Sequence, residues 1–377
     1  MNGSPLIMLQ KYGQSFWYDN ISRGILKSGE LKRMIVEEGL RGVTSNPTIF
    51  HKSIQSANDY DEQFHQLPGK EDSDKDLFYA LAIQDIVEAC DLLMPVYEES
   101  NGLDGYVSIE VDPHLAHDTE GTITEATELA ERIGKPNLMV KVPATKEGLP
   151  AVEELLSRGY NINVTLLFST KRYEEVIDAY MKGLERRVSE GKAIDRIASV
   201  ASFFVSRVDT LTDKLLEEKL NMAGDDDEKE GIKSLMGKAA VANAKIAYQL
   251  FKDAFSSQRF FVLMEKGAKI QRLLWGSTST KNPAYRDVLY VEELIGPGTV
   301  NTMPDATWRA FKDHGRVGRT IDADIEAAIT TIQSIEEHGI SIALVTGELE
   351  DEGVRLFTES FDALLNLIAG KKRTGTC

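Results

Sequence analysis

The sequence has little that would hold it together by covalent or metal cross-links, and nothing that would hold it in a membrane. Only two of its 377 residues are cysteines, Cys90 and Cys377, and they form neither a disulfide framework nor a metal-binding spacing. No apolar run approaches the roughly 18 residues that a membrane span needs. The first ten residues, MNGSPLIMLQ, lack the basic and long apolar regions of a secretory signal. We therefore expect a cytoplasmic globular protein.

Basic residues are also scarce relative to acidic ones. The chain carries 43 lysines and arginines against 60 aspartates and glutamates, which gives a net charge of −17. Such a surface repels phosphate backbones and anionic lipid head groups, so we expect neither nucleic acid nor a membrane as a partner. An anionic substrate would have to be attracted by a local group of basic side chains. Of the six histidines only His114 and His117 could pair on a helical turn, and we expect no metal.

The chain does contain an alternation of short β-branched runs with longer helical stretches, which is typical of repeated βα units. Eight runs are candidate strands, at 15–20, 41–46, 105–112, 137–144, 161–168, 197–206, 272–279 and 298–304. Helical periodicity marks the stretches 21–39, 76–100, 122–134, 171–191, 231–255, 322–339 and 353–370. The acidic, turn-rich stretches 65–76 and 221–231 are interpreted as solvated loops.

This order of elements predicts an α/β fold, a (β/α)8 TIM barrel with additional N- and C-terminal helices. We expect residues 1–377 to form a single domain, with a barrel core at about 14–310 and a C-terminal helical segment at about 320–370. The apolar face of the stretch 353–370 is expected to pack on the barrel and could cover its mouth. The sequence leaves open whether the protein is a monomer or a homodimer.

Polar residues occupy the inward positions of four predicted strands. In 105–112, Val107 and Ile109 share one face of the strand, whereas Glu110 lies on the other. The same alternation places Lys141 inward, together with Asn46, Thr44, Asn163 and Thr165. A barrel interior is normally filled with branched apolar side chains, so these polar groups must satisfy one another or serve chemistry. A structural salt bridge between Lys141 and Glu110 is the alternative.

Lys141 offers the most distinctive chemistry of this set. In water lysine titrates at about 10.4, and burial in apolar surroundings favours the neutral, nucleophilic amine. Such an amine can attack a carbonyl to form a Schiff base, and the protonated imine then stabilises a carbanion on the adjacent carbon. Proton transfers to and from the intermediate require an acid–base group. Glu110 is the candidate, and Thr165 could hold a water between them.

Two longer motifs carry a resemblance to a known family. GVTSNPTIF (42–50) and LMVKVPATKEGLPAVEEL (138–155) resemble the two signatures of the transaldolases, and the resemblance extends over roughly residues 5–370. It implies a (β/α)8 transferase without cofactor that acts on sugar phosphates. Such an enzyme moves a dihydroxyacetone unit from sedoheptulose 7-phosphate to glyceraldehyde 3-phosphate in the non-oxidative pentose phosphate pathway. The products are erythrose 4-phosphate and fructose 6-phosphate.

The resemblance also implies roles for the matched residues. Lys141 would be the Schiff-base nucleophile, and Glu110 with Thr165 would transfer protons through a water. Asp19 would take the proton of the C4 hydroxyl, although on its own it could equally cap the helix beginning near Ile21. The hydroxyls of the dihydroxyacetone unit would accept or donate hydrogen bonds with Asn46, Asn163 and Ser202. Thr44 would support the site from beside Asn46.

The implied phosphate site departs from the family pattern. Arg207 would bind the phosphate, and much of the family adds a second arginine where this chain offers Ser277, Ser279 and Lys281. An ammonium can bind phosphate as a point charge, so Lys281 is assigned that role. The common Ser-Pro-Phe of the family also reads Ser202-Phe203-Phe204 here, and Phe204 is placed in the substrate site.

Three other functions remain as alternatives. A fructose 6-phosphate aldolase-like lyase would use the same lysine, but those relatives are shorter and carry Gln and Tyr where this chain has Glu110 and Phe204. A non-catalytic sugar-phosphate-binding barrel would be expected to have lost the lysine or the acids. A pyridoxal phosphate enzyme would need a Gly/Ser-rich phosphate cup, which the sequence does not show.

Overall fold

Eight parallel strands close into a barrel in the computed structural model, which describes residues 4–56, 58–66 and 73–374. Each strand pairs with the next along the chain, and the last pairs with the first. The strands are β1 (Gln14–Tyr18), β2 (Gly42–Val43), β3 (Tyr106–Glu110), β4 (Leu138–Pro143), β5 (Ile162–Leu167), β6 (Ser199–Phe204), β7 (Arg272–Gly276) and β8 (Thr299–Met303). The predicted (β/α)8 barrel is confirmed.

Seventeen α-helices surround and extend the barrel within the described residues. The first eight are α1 (Pro5–Leu9), α2 (Arg23–Lys27), α3 (Glu30–Glu37), α4 (Pro47–Ser56), α5 (Asp61–Gln66), α6 (Asp74–Glu99), α7 (Thr119–Ile133) and α8 (Gly148–Arg158). The others are α9 (Thr170–Ser189), α10 (Ser206–Met222), α11 (Asp226–Leu235), α12 (Ala239–Phe255), α13 (Gln258–Met264), α14 (Leu289–Glu292), α15 (Asp305–His314), α16 (Ile325–Glu337) and α17 (Ile342–Thr374). Short 3-10 helices span Gln10–Tyr12, Asn58–Tyr60 and Pro113–His117. None of the described helices is both long and apolar enough to cross a membrane.

Alternation along the strands separates two apolar clusters. Val140 and Val142 of β4 belong to the large cluster between the strands and the helices, whereas Met139 belongs to a second, smaller one. That second cluster also includes Trp17 and Leu274 from β1 and β7, on the inner side of the barrel. The alternation of inward and outward side chains along a strand, with a period of two residues, thus operates as the sequence indicates.

The N-terminal end of the barrel is closed by a buried polar network around Arg272, the first residue of β7. Its Nη1 lies 2.9 Å from Asp104 Oδ1, and its Nη2 donates to Ser15 Oγ at 2.7 Å and to the carbonyl of Thr299 at 2.6 Å. Trp17 Nε1 donates to the same carboxylate at 3.0 Å. These hydrogen bonds connect β7 with β1, with β8 and with the loop before β3, so the network fixes this end of the barrel.

Several helix predictions need correction. The stretch 21–39 is two helices, because Gly29 adopts a left-handed conformation with φ of 76° between α2 and α3. The stretch 231–255 is likewise divided by Gly237, with φ of 70°. The acidic stretch 221–231 is not simply a loop, because the Asp225 side chain accepts from Glu228 N at 2.8 Å and caps α11. Of the other predicted loop, residues 67–72 lie outside the described residues.

The predicted C-terminal helix at 353–370 is part of α17, which is 33 residues long. Its middle lies close to β5, since a Cβ on Gly353 would come within 3.0 Å of Leu166 Cδ2. Further along, the Phe361 ring packs edge-on against Phe78 with centroids 5.7 Å apart, and Thr48 donates to Ser360 at 3.0 Å. Helix α17 therefore lies across elements at the C-terminal end of the barrel.

Candidate active site

Lys141 and Glu110 lie side by side on neighbouring strands, because the register of the barrel pairs their Cα positions. Lys141 Nζ is 3.7 Å from Glu110 Oε2, and the exposed fractions of the two side chains are only 6% and 4%. The amine donates to the main-chain carbonyl of Ser45 at 3.0 Å. On the other side, Asn163 of β5 is the register partner of Lys141. The amine of Lys141, on β4, thus lies among residues of β3 and β5 and of the segment that follows β2.

Glu110 is poised to exchange protons near neutral pH. Burial raises the pKa of its carboxyl from 4.5 to about 7, an effect that Lys141 opposes and Asp19 reinforces. Neither carboxyl oxygen has a hydrogen-bond partner among the described residues, and the buried hydroxyl of Thr165 has none either. Buried polar atoms are normally satisfied within a protein, so these three are available to a water molecule.

Asp19 follows β1 and is held by the hydroxyl of Thr44, which Thr302 supports in turn. Thr44 Oγ1 donates to Asp19 Oδ1 at 2.7 Å and lies 2.6 Å from Thr302 Oγ1, which therefore donates to it. Burial raises the pKa of Asp19, while Lys141 lowers it. The structure excludes the helix-capping role for this residue, since α2 begins at Arg23 and its N-cap is Ser22, whose Oγ accepts from Ile25 N at 3.2 Å.

Asn163 and Ser202 form a hydrogen-bonded chain next to the lysine. Ser202 Oγ donates to Asn163 Oδ1 at 2.6 Å, and Asn163 Nδ2 donates to Ser108 Oγ at 3.0 Å. Asn46 lies apart from this chain, at the start of α4, where its Oδ1 accepts from Ile49 N at 3.0 Å. Its amide nitrogen forms no hydrogen bond with a described residue and is free to donate.

A cavity of about 590 Å³ opens above these residues at the C-terminal end of the barrel. Eleven of the thirteen predicted site residues line it: Asp19, Thr44, Asn46, Lys141, Thr165, Ser202, Phe204, Arg207, Ser277, Ser279 and Lys281. Glu110 and Asn163 do not reach its wall and lie behind the residues that do. The predicted set therefore divides into groups that can touch a ligand and groups that support them.

The end of the cavity near β6 and β7 carries the predicted phosphate ligands. The Arg207 guanidinium lies 5.9 Å from the centroid of the Phe204 ring, and its buried Nη1 has no hydrogen-bond partner among the described residues. Lys281 donates to Ser279 Oγ at 2.6 Å. Ser277 adopts a left-handed conformation with φ of 53°, and its hydroxyl lies 2.9 Å from that of Ser206.

Several residues that line the cavity were not named from the sequence, and three of them bear on its chemistry. Thr302 supports Thr44, and both Lys52 and Phe357 line the cavity. Lys52 follows the first family motif by two residues, and this position is a sequence signal that it lies near the site. Phe357 comes from α17, more than 200 residues from Lys141; it belongs to the apolar face that was expected to cover the barrel mouth, but it was not named as a site residue. The Phe357 and Phe204 rings are 6.5 Å apart, which makes α17 part of the cavity wall.

A buried amine at the C-terminal end of a (β/α)8 barrel, beside a carboxyl group that titrates near neutrality, can form and release a Schiff base with a carbonyl compound. The fold and the site thus define a barrel enzyme of carbonyl chemistry. The particular family is given by comparison with known proteins. The model of the transaldolase/fructose-6-phosphate aldolase family matches residues 16–368, and the chain belongs to this family.

Individual relatives match along nearly their whole length. A protein named transaldolase from Trichodesmium erythraeum is 48% identical over 97% of both chains, and one named transaldolase 2 from Nostoc punctiforme is 48% identical over 98% of both. A third, named transaldolase, from Thermobifida fusca, is 46% identical over 97% of this chain and 98% of its own. The similarity therefore covers the barrel and the C-terminal helix together.

Proposed function

We propose that this chain is a transaldolase in which Lys141 is the Schiff-base nucleophile. The activity is that of a transferase. It is supported by membership of the family and by 45–48% identity to proteins named transaldolase. The reaction moves a dihydroxyacetone unit from a ketose phosphate, sedoheptulose 7-phosphate or fructose 6-phosphate, to an aldose phosphate. The observation that carries the assignment of Lys141 is its burial 3.7 Å from Glu110.

The first step is imine formation. The Nζ of Lys141 attacks the C2 carbonyl of the ketose, and the oxygen leaves as water after it is protonated. Glu110 carries a pKa of about 7, so it can give a proton to the departing hydroxyl and recover one later. Because Glu110 lies behind the cavity wall, a water held by the free hydroxyl of Thr165 would relay these protons.

The second step breaks the bond between C3 and C4. Asp19 removes the proton of the C4 hydroxyl, the C3–C4 electron pair moves into the protonated imine, and the aldose leaves as an aldehyde. Burial raises the pKa of Asp19 and makes it a better base, while the hydrogen bond from Thr44 holds it in place. An aldehyde acceptor then reverses both steps and releases the new ketose.

The remaining residues hold the substrate. Ser202, with Asn163 behind it, and Asn46 offer hydrogen bonds to the C1 and C3 hydroxyls. Arg207 has a buried nitrogen free to donate, and Lys281 adds a positive charge for the phosphate. The site needs no metal in this scheme, because the imine itself accepts the electron pair.

A lyase of the fructose 6-phosphate aldolase type is the competing function, since the family model includes both. The relatives at 45–48% identity carry the transaldolase name, and Phe204 has no hydroxyl with which to position a protonating water. The test is to incubate the protein with fructose 6-phosphate, with and without erythrose 4-phosphate. We expect sedoheptulose 7-phosphate only when the acceptor is present and little free dihydroxyacetone without it. Rapid release of dihydroxyacetone in the absence of any acceptor would favour the lyase.

A further inference from the structure

We propose that Lys52 is a third phosphate-binding cation of this site and that it raises the selectivity for phosphorylated over unphosphorylated aldehydes. The inference deepens the proposed function and rests on it, because it adds a residue to the same cavity. Lys52 lies in α4, on the element that follows β2, whereas Arg207 and Lys281 follow β6 and β7. All three side chains line the one cavity above Lys141.

The three cations lack the acidic partners that would neutralise them. Among the described residues, neither Lys52, Lys281 nor Arg207 forms an ion pair, and the only hydrogen bond of the Lys281 amine is to Ser279. This is unusual for a chain whose net charge is −17, in which carboxylates are abundant. Uncompensated positive charge on the wall of a substrate cavity attracts anions.

Carboxylates do line the same cavity, but each has a hydrogen-bond or ion-pair partner other than the three cations. Asp59 lies 3.9 Å from Lys27 Nζ. Asp305 accepts hydrogen bonds from Tyr18 at 2.6 Å and from Asn20 at 2.9 Å. Asp19 accepts from Thr44, as described above. Asp19 also attracts Lys281 electrostatically, but none of these carboxylates forms an ion pair with the three cations within the described residues, so the cations remain available to a ligand.

The cations also repel one another. Burial lowers the pKa of Lys281, the charges of Arg207 and Lys52 lower it further, and Asp19 opposes this in part. Lys52 therefore acts on Lys281 electrostatically even though it stands on a different element. A phosphate monoester, which carries close to two negative charges at pH 7, would relieve this repulsion. An unphosphorylated aldehyde would not.

The experiment compares two acceptors, glyceraldehyde 3-phosphate and glyceraldehyde, at saturating sedoheptulose 7-phosphate, from which they give fructose 6-phosphate and fructose. In the Lys52→Gln variant we expect the ratio of their kcat/KM values to fall about tenfold, the effect of losing one interaction with a charged group. Lys52→Arg should restore most of the ratio. Lys233→Gln, at an exposed lysine on α11 outside the cavity, is the matched control and should keep the wild-type ratio. Inorganic phosphate should also inhibit Lys52→Gln less strongly.

Three results would count against the proposal. An unchanged ratio in Lys52→Gln would show that the lysine does not contact the phosphate. Equal losses for both acceptors would assign Lys52 to the architecture of the site and not to phosphate selectivity. If the wild-type protein transferred to neither acceptor, the proposed function itself would fail, and this outcome is distinguishable because it needs no variant.

Discussion

Two buried ion pairs of this protein differ in a way that bears on the role of Lys141. Arg23 Nε lies 2.8 Å from Asp85 Oδ1, and Tyr60 donates to the other oxygen of that carboxylate at 2.8 Å, so the pair is fully hydrogen-bonded. Lys141 lies 3.7 Å from Glu110, and both oxygens of that carboxyl lack a hydrogen-bond partner in the described chain. A structural salt bridge is expected to resemble the first pair. The second has the loose geometry of groups that must exchange protons with a ligand.

Replacement of Lys141 tests this distinction at a single atom. We expect Lys141→Met to lose turnover by about 10⁴-fold or more, because no other group can form the imine. Lys141→Arg should be as inactive, since guanidinium keeps the charge without the nucleophile. Thermal unfolding should show that Lys141→Met is folded and about as stable as the wild type. Retained turnover in either variant would contradict the assignment.

Glu110 gives a second residue-scale test, because its pKa predicts how stability depends on pH. The pKa of about 7 lies above the ordinary value of 4.5, so the folded protein holds this proton more tightly than the unfolded chain. The stabilisation is complete below about pH 4.5 and is lost as the pH rises through 7. Relative to Glu110→Gln, the wild type should lose about 3 kcal/mol of unfolding free energy over this range. Denaturant titrations at pH 5 and pH 8 measure the difference, and parallel pH dependences would contradict it.

Asp19→Asn separates bond cleavage from imine formation. The amide keeps the size of the side chain and can still interact with Thr44, but it cannot accept the C4 proton. We expect kcat to fall by about 10²–10⁴-fold. The imine with fructose 6-phosphate should still form, so borohydride should trap as much adduct as in the wild type. A variant that formed no adduct would place Asp19 in the first step instead.

At the scale of elements, the strands could be predicted in more detail than the helices that complete the site. Alternation along each strand located the inward residues, and parallel pairing then made Glu110 and Lys141 register partners, as Lys141 and Asn163 are. That inference needed only a period of two residues and a closed barrel. The apolar pattern of the stretch 353–370 predicted that it could cover the barrel mouth, but not that Phe357 would be the side chain that lines the cavity. The position of Phe357 depends on how α17 folds back over the barrel, and that path is set by contacts between distant parts of the chain.

The aromatic wall that α17 supplies has an expected effect on specificity. Phe357 packs beside Phe204, which in turn packs on Phe168 with ring centroids 5.2 Å apart. A wall of this kind keeps water from the carbanion that follows cleavage. We expect Phe357→Leu to release several times more dihydroxyacetone from fructose 6-phosphate alone, relative to its transfer rate.

The matched control for that change lies on the same helix. Phe361 is also buried in α17 but packs against Phe78 outside the cavity, so Phe361→Leu should lower stability without altering the ratio of release to transfer. If both variants raised the ratio equally, general loosening of α17 would be the cause. The Phe357 side chain would then have no separate role.

At the scale of the whole molecule, the two ends of the barrel separate stability from chemistry. The Arg272 network occupies the N-terminal end, and the cavity with Lys141 occupies the other. Arg272→Met leaves Asp104 buried without its cation, which costs about 3–5 kcal/mol of unfolding free energy. We expect the melting temperature to fall while kcat at a low assay temperature stays close to the wild-type value. A loss of kcat in the folded variant would show that the two ends are coupled.

The most direct test of the account is to trap the imine. The wild-type protein is treated with borohydride in the presence of fructose 6-phosphate, digested, and analysed by mass spectrometry. We expect one reduced adduct of the dihydroxyacetone unit or the whole ketose, located on Lys141, and none in Lys141→Met. Folded wild-type protein that gave no adduct, or an adduct on another lysine, would contradict the central claim.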